Sequence, residues 1–233
     1  MNPRKIRRRS ARLQDRDYDI LEFVSRYRMV TREILHRIFF DDSELNAVTK
    51  VTSRLTEAAF LSRHPFVNTA SYFTLGIAGC KLFGLPARCA KELGAQALVT
   101  QFGIVDYCTA PGATRARLTV GELHAHHNSL LQKNLDPANY VNDATGEVSK
   151  LQFVRVDGGG PADHVVRKIK LDMALRETNT ICKELNQLSR FEIACVTYSE
   201  SKLDQIKKRL DKEQLWCPVQ LFNSLGLLPL LDF

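Results

Sequence analysis

The spacing of apolar residues over positions 17–59 predicts three consecutive helices. The first begins at about Asp17, where apolar side chains recur every three or four residues. Thr31 has the side chain of an N-cap and begins a second, shorter helix. The predicted buried side of that helix is Ile34, Leu35, Ile38 and Phe39. A third helix runs from about Glu44 to Ala59, with a predicted core face of Val48, Val51, Leu55 and Ala58.

The next stretch, residues 60–75, predicts a β-hairpin. Residues 60–66 form the first strand, 67–70 the turn and 71–75 the returning strand. Three helices followed by a hairpin is the element order of a winged helix-turn-helix domain. We therefore assign residues 15–85 to such a domain.

The chain after residue 85 predicts a connector and then a second domain. Residues 87–107 have helical spacing, and residues 108–117, with Pro111 and Gly112, are typical of a linker, so that 86–117 join the two domains. Residues 118–233 predict a small α/β domain with the order αββαβαβ. Its longest helix has the predicted inward face Leu171, Leu175, Thr178, Cys182, Leu185 and Leu188. The expected fold class is thus α+β.

The net charge of +7 is concentrated at the N-terminus. Residues 1–13 carry six cations and no acid, which leaves +1 for the rest of the chain. Such dense like charge with little apolar surface predicts a disordered basic arm over residues 1–14, suited to contact with phosphates. Its cations are Arg4, Lys5, Arg7, Arg8, Arg9 and Arg12.

Four stretches of the first domain carry a resemblance. They are Asp17-Tyr18-Asp19-Ile20-Leu21, Thr31-x-x-x-Leu35-x-x-x-Phe39-Phe40, Val51-x-x-x-Leu55-x-x-x-x-Phe60-Leu61, and Tyr72-Phe73-Thr74-Leu75 with Gly76-Ile77-Ala78-Gly79. Over residues 15–85 the chain resembles the replication-relaxation family of plasmid and mobile-element proteins. The resemblance implies double-stranded DNA as partner, and a role in replication, mobilisation or transcription regulation. The second domain resembles a degenerate restriction-endonuclease-like fold, which relatives in that family also carry.

The third helix has a polar face of short donors and acceptors that can reach base edges or phosphates in a major groove. We predict that DNA is contacted from this helix by Asn46, Thr49, Lys50 and Ser53. Contacts to phosphates are predicted from the second helix and the hairpin by Arg32, Arg63, His64 and Asn68. A solvated helix face, or a winged helix that binds another protein, are the alternatives.

A Mg²⁺-dependent nuclease is the alternative function. In it, Glu122, Asp136 and Asp157 hold the metal and Lys168 polarises the attacking water. The second strand of the C-terminal domain, however, carries no Asp/Glu-x-Lys pattern, so we predict a degenerate domain with no catalytic residues.

Other motifs give little support to a cofactor or a metal. The run from Glu122 to His127 places at most Glu122 and His126 on one helix face, which is too few ligands for zinc. The glycines of 158–160 lack the flanking residues of a phosphate-binding loop, and the six cysteines form no C-x-x-C pair. We therefore expect no cofactor and no metal.

The expected location is the cytoplasm, without a membrane partner. No stretch approaches the roughly 18 consecutive apolar residues of a membrane span, and arginines stand where a signal peptide is apolar. A homodimer is expected if the DNA target is palindromic, because two-fold protein symmetry matches two half-sites.

Overall fold

The computed structural model describes residues 12–231 and divides the chain into two compact units, 1–93 and 94–233. Each unit contains helices and one sheet, so the expected mixture of helix and strand is confirmed. The boundary lies between Leu93 and Gly94, whereas the sequence placed the connector and linker over residues 86–117.

The first unit consists of three helices, a three-stranded sheet and a short fourth helix. The helices are α1 (Asp15–Tyr27), α2 (Arg32–Phe39), α3 (Leu45–Glu57) and α4 (Ile77–Leu82). The strands are β1 (Val30–Thr31), β2 (Leu61–Pro65) and β3 (Ser71–Leu75). They pair antiparallel in the order β1-β3-β2. The predicted helices and hairpin are present, and β1 is an addition, because two residues are too few to show a periodic pattern.

The core of the first unit includes half of the inward positions predicted on α2 and α3. Ile20, Leu35, Val48 and Leu55 are all fully buried, and Thr31 caps α2 by accepting a hydrogen bond from the Ile34 N–H. Other positions on the predicted inner faces differ. Ile38 is 40% exposed, and the half-buried residues are Phe39, Val51 and Ala58. On α3 the polar Thr52 is buried instead, because its hydroxyl donates to the Val48 carbonyl one turn earlier.

The predicted connector helix is interrupted. A 3-10 turn covers Ala87–Ala90, and the helix α5 starts only at Ala95 and ends at Cys108. Gly94, in an extended conformation, precedes α5. The predicted linker over 108–117 contains a strand, β4 (Arg115–Arg117), which is paired with the sheet of the second unit. Its two arginines do not show the apolar pattern of a strand.

The second unit is built around a five-stranded mixed sheet. The further strands are β5 (Tyr140–Asp143), β6 (Lys150–Val156), β7 (Phe191–Thr197) and β8 (Val219–Asn223). The further helices are α6 (Val120–His126), α7 (Ala162–Glu177), α8 (Thr180–Gln187), α9 (Glu200–Leu210) and α10 (Leu228–Leu231). Strand order is β4-β5-β6-β7-β8, with β4 to β6 antiparallel and β6 to β8 parallel.

Helices cover both faces of this sheet. Phe153 and Ile193 pack in one core with Val165, Ile169 and Ile206 of α7 and α9. The opposite face meets α5, where a methyl group on Gly103 would lie 2.6 Å from the side chain of Val156. Because successive residues of a strand point to opposite faces, residues 152, 154 and 156 of β6 face α5.

The long helix predicted after the glycine loop is two helices with a different buried face. Leu171, Leu175 and Leu188 are exposed by 59%, 45% and 65%. The inward face of α7 includes the polar Asp172 and Arg176, both buried. The break occurs where the Asn179 side chain accepts from the Cys182 N–H and so caps α8. The first helix of the predicted αββαβαβ order, α6, ends at His126, and a 3-10 turn follows at Asn128–Leu131.

Candidate nucleic-acid interface

A groove of about 310 Å³ in the first unit lies between α3 and the β2–β3 hairpin. Four of the predicted DNA-binding residues line it, namely Arg32, Thr49, Ser53 and Arg63. Its remaining lining is mainly hydroxyl side chains, Thr52, Thr56, Thr69 and Ser71 among them, and it includes one carboxylate, that of Glu57. The fold therefore places two guanidinium groups and several hydroxyls around one opening.

Two hydrogen bonds fix the arginines of this groove. The Arg32 Nη1 donates to the Thr49 Oγ1 at 3.2 Å, while that hydroxyl donates to the Leu45 carbonyl at 3.4 Å. Arg63 is exposed, and its Nε donates to the Ser71 Oγ at 2.8 Å. Thr49 is thus engaged within the protein and positions Arg32.

The outer face of α3 carries three of the predicted residues in exposed positions. Asn46, Lys50 and Ser53 are all exposed, and their spacing of four and three residues places them on one side of the helix. Arg54, also on α3, is directed elsewhere. Its Nη2 lies 2.6 Å from the Asp17 carboxylate of α1, whose side chain is only 2% exposed.

His64 and Asn68 are not among the residues that line the groove. The His64 Nε2 lies 3.0 Å from the Thr74 Oγ1, and its ring packs at 5.1 Å from that of Tyr72. Burial lowers the pKa of His64, against the opposing effect of the Glu92 carboxylate. Asn68 is exposed near the hairpin turn with a φ of 56°, a left-handed conformation that asparagine tolerates better than most residues.

Among the cations of the predicted arm, only Arg12 falls in the described part of the chain, and it is exposed. Arg4, Lys5, Arg7, Arg8 and Arg9 lie outside the described residues.

Three exposed acids, Asp41, Asp42 and Glu44, immediately precede α3. The His36 ring holds this turn, because its Nε2 lies 2.6 Å from the Ser43 carbonyl oxygen. The negative charge of Asp41, Asp42 and Glu44 lies next to the first turn of α3, the helix predicted to approach DNA.

The three carboxylates of the nuclease alternative, Glu122, Asp136 and Asp157, do not form a metal-holding group among the described residues. Glu122 accepts from the Thr119 N–H and caps α6, and Asp136 accepts from the Ala138 N–H and caps a 3-10 turn. Asp157 and Lys168 do line one pocket. Within residues 12–231 no three His, Cys, Asp or Glu side chains are grouped so that they could hold a metal ion.

The histidines of the Glu122 to His127 run do not form a cluster of ligands either. His124 and His126 are exposed. Burial, and after it the neighbouring His126, lowers the pKa of His127.

A polar cluster in the second unit was missed by the sequence analysis. The fully buried Gln152 donates from Nε2 to Asp143 at 3.0 Å and to Glu192 at 2.7 Å. Its Oε1 accepts from the Tyr107 hydroxyl of α5 at 2.8 Å. The two carboxylates also meet cations, Asp143 the Arg115 Nε at 2.8 Å and Glu192 the Lys150 Nζ at 2.9 Å. No pattern in the sequence predicts that α5 covers Gln152 and Glu192, because polar residues within strands are usually exposed.

The Asp143 carboxyl shows how this cluster balances its charges. Burial by itself would raise the pKa of Asp143, but hydrogen bonds from Thr145 and Arg115 lower it below its ordinary value. Burial raises the pKa of Tyr107 well above its ordinary value. The cluster therefore keeps a charged carboxylate beside a protonated phenol.

None of the helices between residues 12 and 231 combines the length and the apolar composition needed to cross a membrane. Comparisons with protein-family models, with curated proteins and with solved structures each found no match to this chain.

Proposed function

We propose that this chain binds double-stranded DNA through a winged helix-turn-helix domain formed by residues 15–85, with α3 as the recognition helix. The observation that carries the proposal is the groove between α3 and the hairpin, lined by Arg32, Thr49, Ser53 and Arg63. The order of α1, α2, α3 and the hairpin supports the winged-helix assignment.

In this proposal the exposed side of α3 enters a major groove. Asn46, Lys50 and Ser53 supply an amide, an ammonium and a hydroxyl, which match the acceptors and donors of base edges. Arg32 and Arg63 contact phosphates on either side, since contacts to the backbone fix the position of a protein on the duplex. Thr49 acts indirectly by orienting Arg32.

The basic arm would add contacts with phosphates, which release counterions and make affinity depend on salt. Membership of the replication-relaxation family, and with it a role in replication, mobilisation or transcription of a plasmid or mobile element, is part of the proposal.

The α6 to β8 segment keeps the predicted order αββαβαβ when α8 is counted with α7, which supports a restriction-endonuclease-like ancestry of the second unit. Likeness of fold does not establish chemistry, and Glu122 and Asp136 are engaged in helix caps. We therefore do not propose cleavage.

The test is a titration of a labelled duplex at several salt concentrations. We would compare the intact chain, a variant without residues 1–13, and the triple variant Asn46→Ala, Lys50→Ala, Ser53→Ala. Lys183→Ala, which removes an exposed lysine of α8, is the matched control.

Under the proposal, affinity falls steeply with salt, deletion of the arm flattens that dependence, and the triple variant loses preference among sequences. Lys183→Ala should bind like the intact chain. If binding is independent of salt and none of the variants differs, α3 is a solvated face and the DNA proposal fails, which favours the alternative of a protein partner. Incubation of supercoiled plasmid with Mg²⁺ or Mn²⁺ is the further check, because nicking that Asp157→Ala abolishes would establish the nuclease alternative.

A further inference from the structure

A pocket of about 420 Å³ lies in the second unit at the carboxyl end of β6. Its apolar wall is formed by Ala95, Val99, Val156 and Val165. Its basic wall is formed by Arg155, His164 and Lys168. Open sheets of α/β proteins bind ligands at the carboxyl ends of their parallel strands, and this volume lies within the roughly 300–1,000 Å³ of small-molecule sites.

The one carboxylate on the pocket, Asp157, is engaged within the protein. It accepts hydrogen bonds from the Gly159 N–H at 3.0 Å and the Thr197 hydroxyl at 3.2 Å. The buried Lys202 ammonium lies 3.9 Å from it and donates to the Gly160 carbonyl. Asp157 therefore holds the glycine loop, and its charge is compensated by a cation.

The basic wall keeps a net positive charge. Arg155 is balanced by Asp172, to which it makes two hydrogen bonds of 2.6 Å. Lys168 is half-buried. Burial raises the pKa of Asp157, and the charge of Lys168 is among the effects that oppose that rise, but no hydrogen bond or short ion pair to another of residues 12–231 fixes the Lys168 ammonium. The first turn of α7 borders the same pocket through His164 and Val165, and a helix N-terminus favours negative charge. Asp163, the acidic residue in the first turn of α7, forms an ion pair with Arg209 of α9, so its carboxylate is directed towards α9.

The backbone at Gly158 is open toward the pocket. Its φ is not in the left-handed region, and a methyl group on its Cα would meet no atom within 4 Å. The fold itself therefore does not require glycine at position 158, although that residue lines the pocket. Glycine allows a ligand to approach the backbone closely.

We propose that this pocket binds the phosphate group of a nucleotide. Lys168 and the Gly158 backbone meet the phosphate, and the wall of Val99, Val156 and Val165 covers the sugar or the base. The phosphate belongs either to a free nucleotide or to the 5′ end of a DNA strand, since the chemistry recognised is the same. The proposal does not depend on DNA binding by the first unit.

The experiment uses the full chain and probes with and without phosphate. Calorimetry with dAMP, deoxyadenosine and inorganic phosphate tests a free nucleotide. Fluorescence anisotropy with one oligonucleotide, carrying either a 5′-phosphate or a 5′-hydroxyl, tests the strand end. The variants are Lys168→Gln and Gly158→Val, with Lys183→Gln as the control on an exposed lysine outside the pocket.

We expect the phosphate-bearing probe to bind more tightly than its partner without phosphate. Lys168→Gln should weaken that binding by about tenfold or more, as for the loss of a charge-assisted hydrogen bond. Gly158→Val should weaken it without lowering the unfolding midpoint, and Lys183→Gln should change nothing. A preference shown by the oligonucleotide alone identifies a strand end, and one shown by dAMP identifies a free nucleotide.

The proposal is overturned if neither probe pair shows a preference for phosphate, or if Lys168→Gln and Gly158→Val both retain that preference. The triple variant of α3 separates this result from the DNA proposal. It should lose selective duplex binding and keep the phosphate preference. Failure of the first effect contradicts the proposed function, and failure of the second contradicts the phosphate pocket.

Discussion

Polar side chains are used differently in the two units. On α3, Asn46, Lys50 and Ser53 are exposed on one helix face. Between α5 and the second sheet, Gln152 and Glu192 are buried and hydrogen-bonded to one another. The first arrangement leaves donors and acceptors for a ligand. The second satisfies them internally, as buried polar groups must be, so a count of polar residues alone does not identify a binding surface.

This difference in burial predicts that substitutions in the Gln152 cluster and substitutions on the exposed face of α3 change different properties of the protein. A substitution in the buried cluster should lower the stability of the protein, because removal of one member leaves its hydrogen-bond partners buried and unsatisfied. A substitution on the exposed face of α3 should weaken binding of the ligand and leave stability almost unchanged. The variants below separate the two effects, beginning with the largest.

Gln152→Leu is expected to destabilise the second unit by about 1–3 kcal/mol for each of the two carboxylates that loses a hydrogen-bond donor, while Arg115 and Lys150 remain beside them. It removes the amide that donates to both Asp143 and Glu192, so two carboxylates are left facing an apolar side chain. Urea unfolding followed by the fluorescence of Trp216, the single tryptophan of the chain, measures this unit directly.

The exposed Gln187 of α8 provides the control for this variant. Gln187→Leu should change the unfolding free energy by less than about 0.5 kcal/mol. If the two variants cost the same, the cluster contributes no more than a surface amide, and the distinction between the two units fails.

The cluster also shows where sequence patterns stop being informative. Helices α1 to α3 and the hairpin were predicted because their apolar residues recur at regular spacing and Thr31 marks a helix start. The inward face of α7 was predicted wrongly, since Leu171 and Leu175 are exposed while Arg176 is buried. Arg176 is stable there because its Nε donates to the Tyr140 hydroxyl and its guanidinium packs over the Phe153 ring at 3.3 Å.

For the candidate sites, the residue types could be predicted from the sequence, but the side chains that they contact could not. The groove contains four of the eight residues predicted on α2, α3 and the hairpin. Nothing in the chain order indicates that His64 packs against Tyr72, or that Asp157 is paired with Lys202. Such contacts depend on which elements come together in three dimensions, and polar residues carry no periodic signal for that.

Two cations of α3 allow the comparison within a single helix. Arg54→Met should destabilise the first unit by about 1–3 kcal/mol, because the buried Asp17 loses its ion-pair partner. Lys50→Met removes an exposed charge and should leave stability within about 0.5 kcal/mol. Amide hydrogen exchange in α1 and α3 measures the stability of this unit separately.

In a duplex titration Lys50→Met should weaken binding by about tenfold, as expected for one contact to a base edge. Equal binding by Lys50→Met and the intact chain would contradict the assignment of that residue to DNA.

The acids before α3 should oppose binding if that end of the helix approaches phosphates. The double variant Asp41→Asn, Asp42→Asn removes two exposed negative charges and is expected to strengthen duplex binding by about threefold to tenfold at low salt. The gain should shrink as salt is added, because exposed charges are screened. Asp211→Asn, at an exposed acid in the second unit, is the control. Weaker duplex binding by the double variant would contradict the placement of this end of α3 next to phosphates.

The smallest effect concerns His64, whose burial against the hairpin lowers its pKa. The folded hairpin favours the neutral ring, whereas the unfolded chain takes up a proton near the ordinary pKa of 6.5. Stability from this residue is therefore complete above about pH 6.5 and is lost as the pH falls through the lower, folded pKa. His64→Gln should remove that part of the pH dependence.

Protection factors for the amides of β2 and β3, corrected for intrinsic exchange, restrict the measurement to the hairpin, because His127 in the second unit also has a lowered pKa. The same loss of protection at low pH in both proteins would show that the His64 ring does not titrate with hairpin opening.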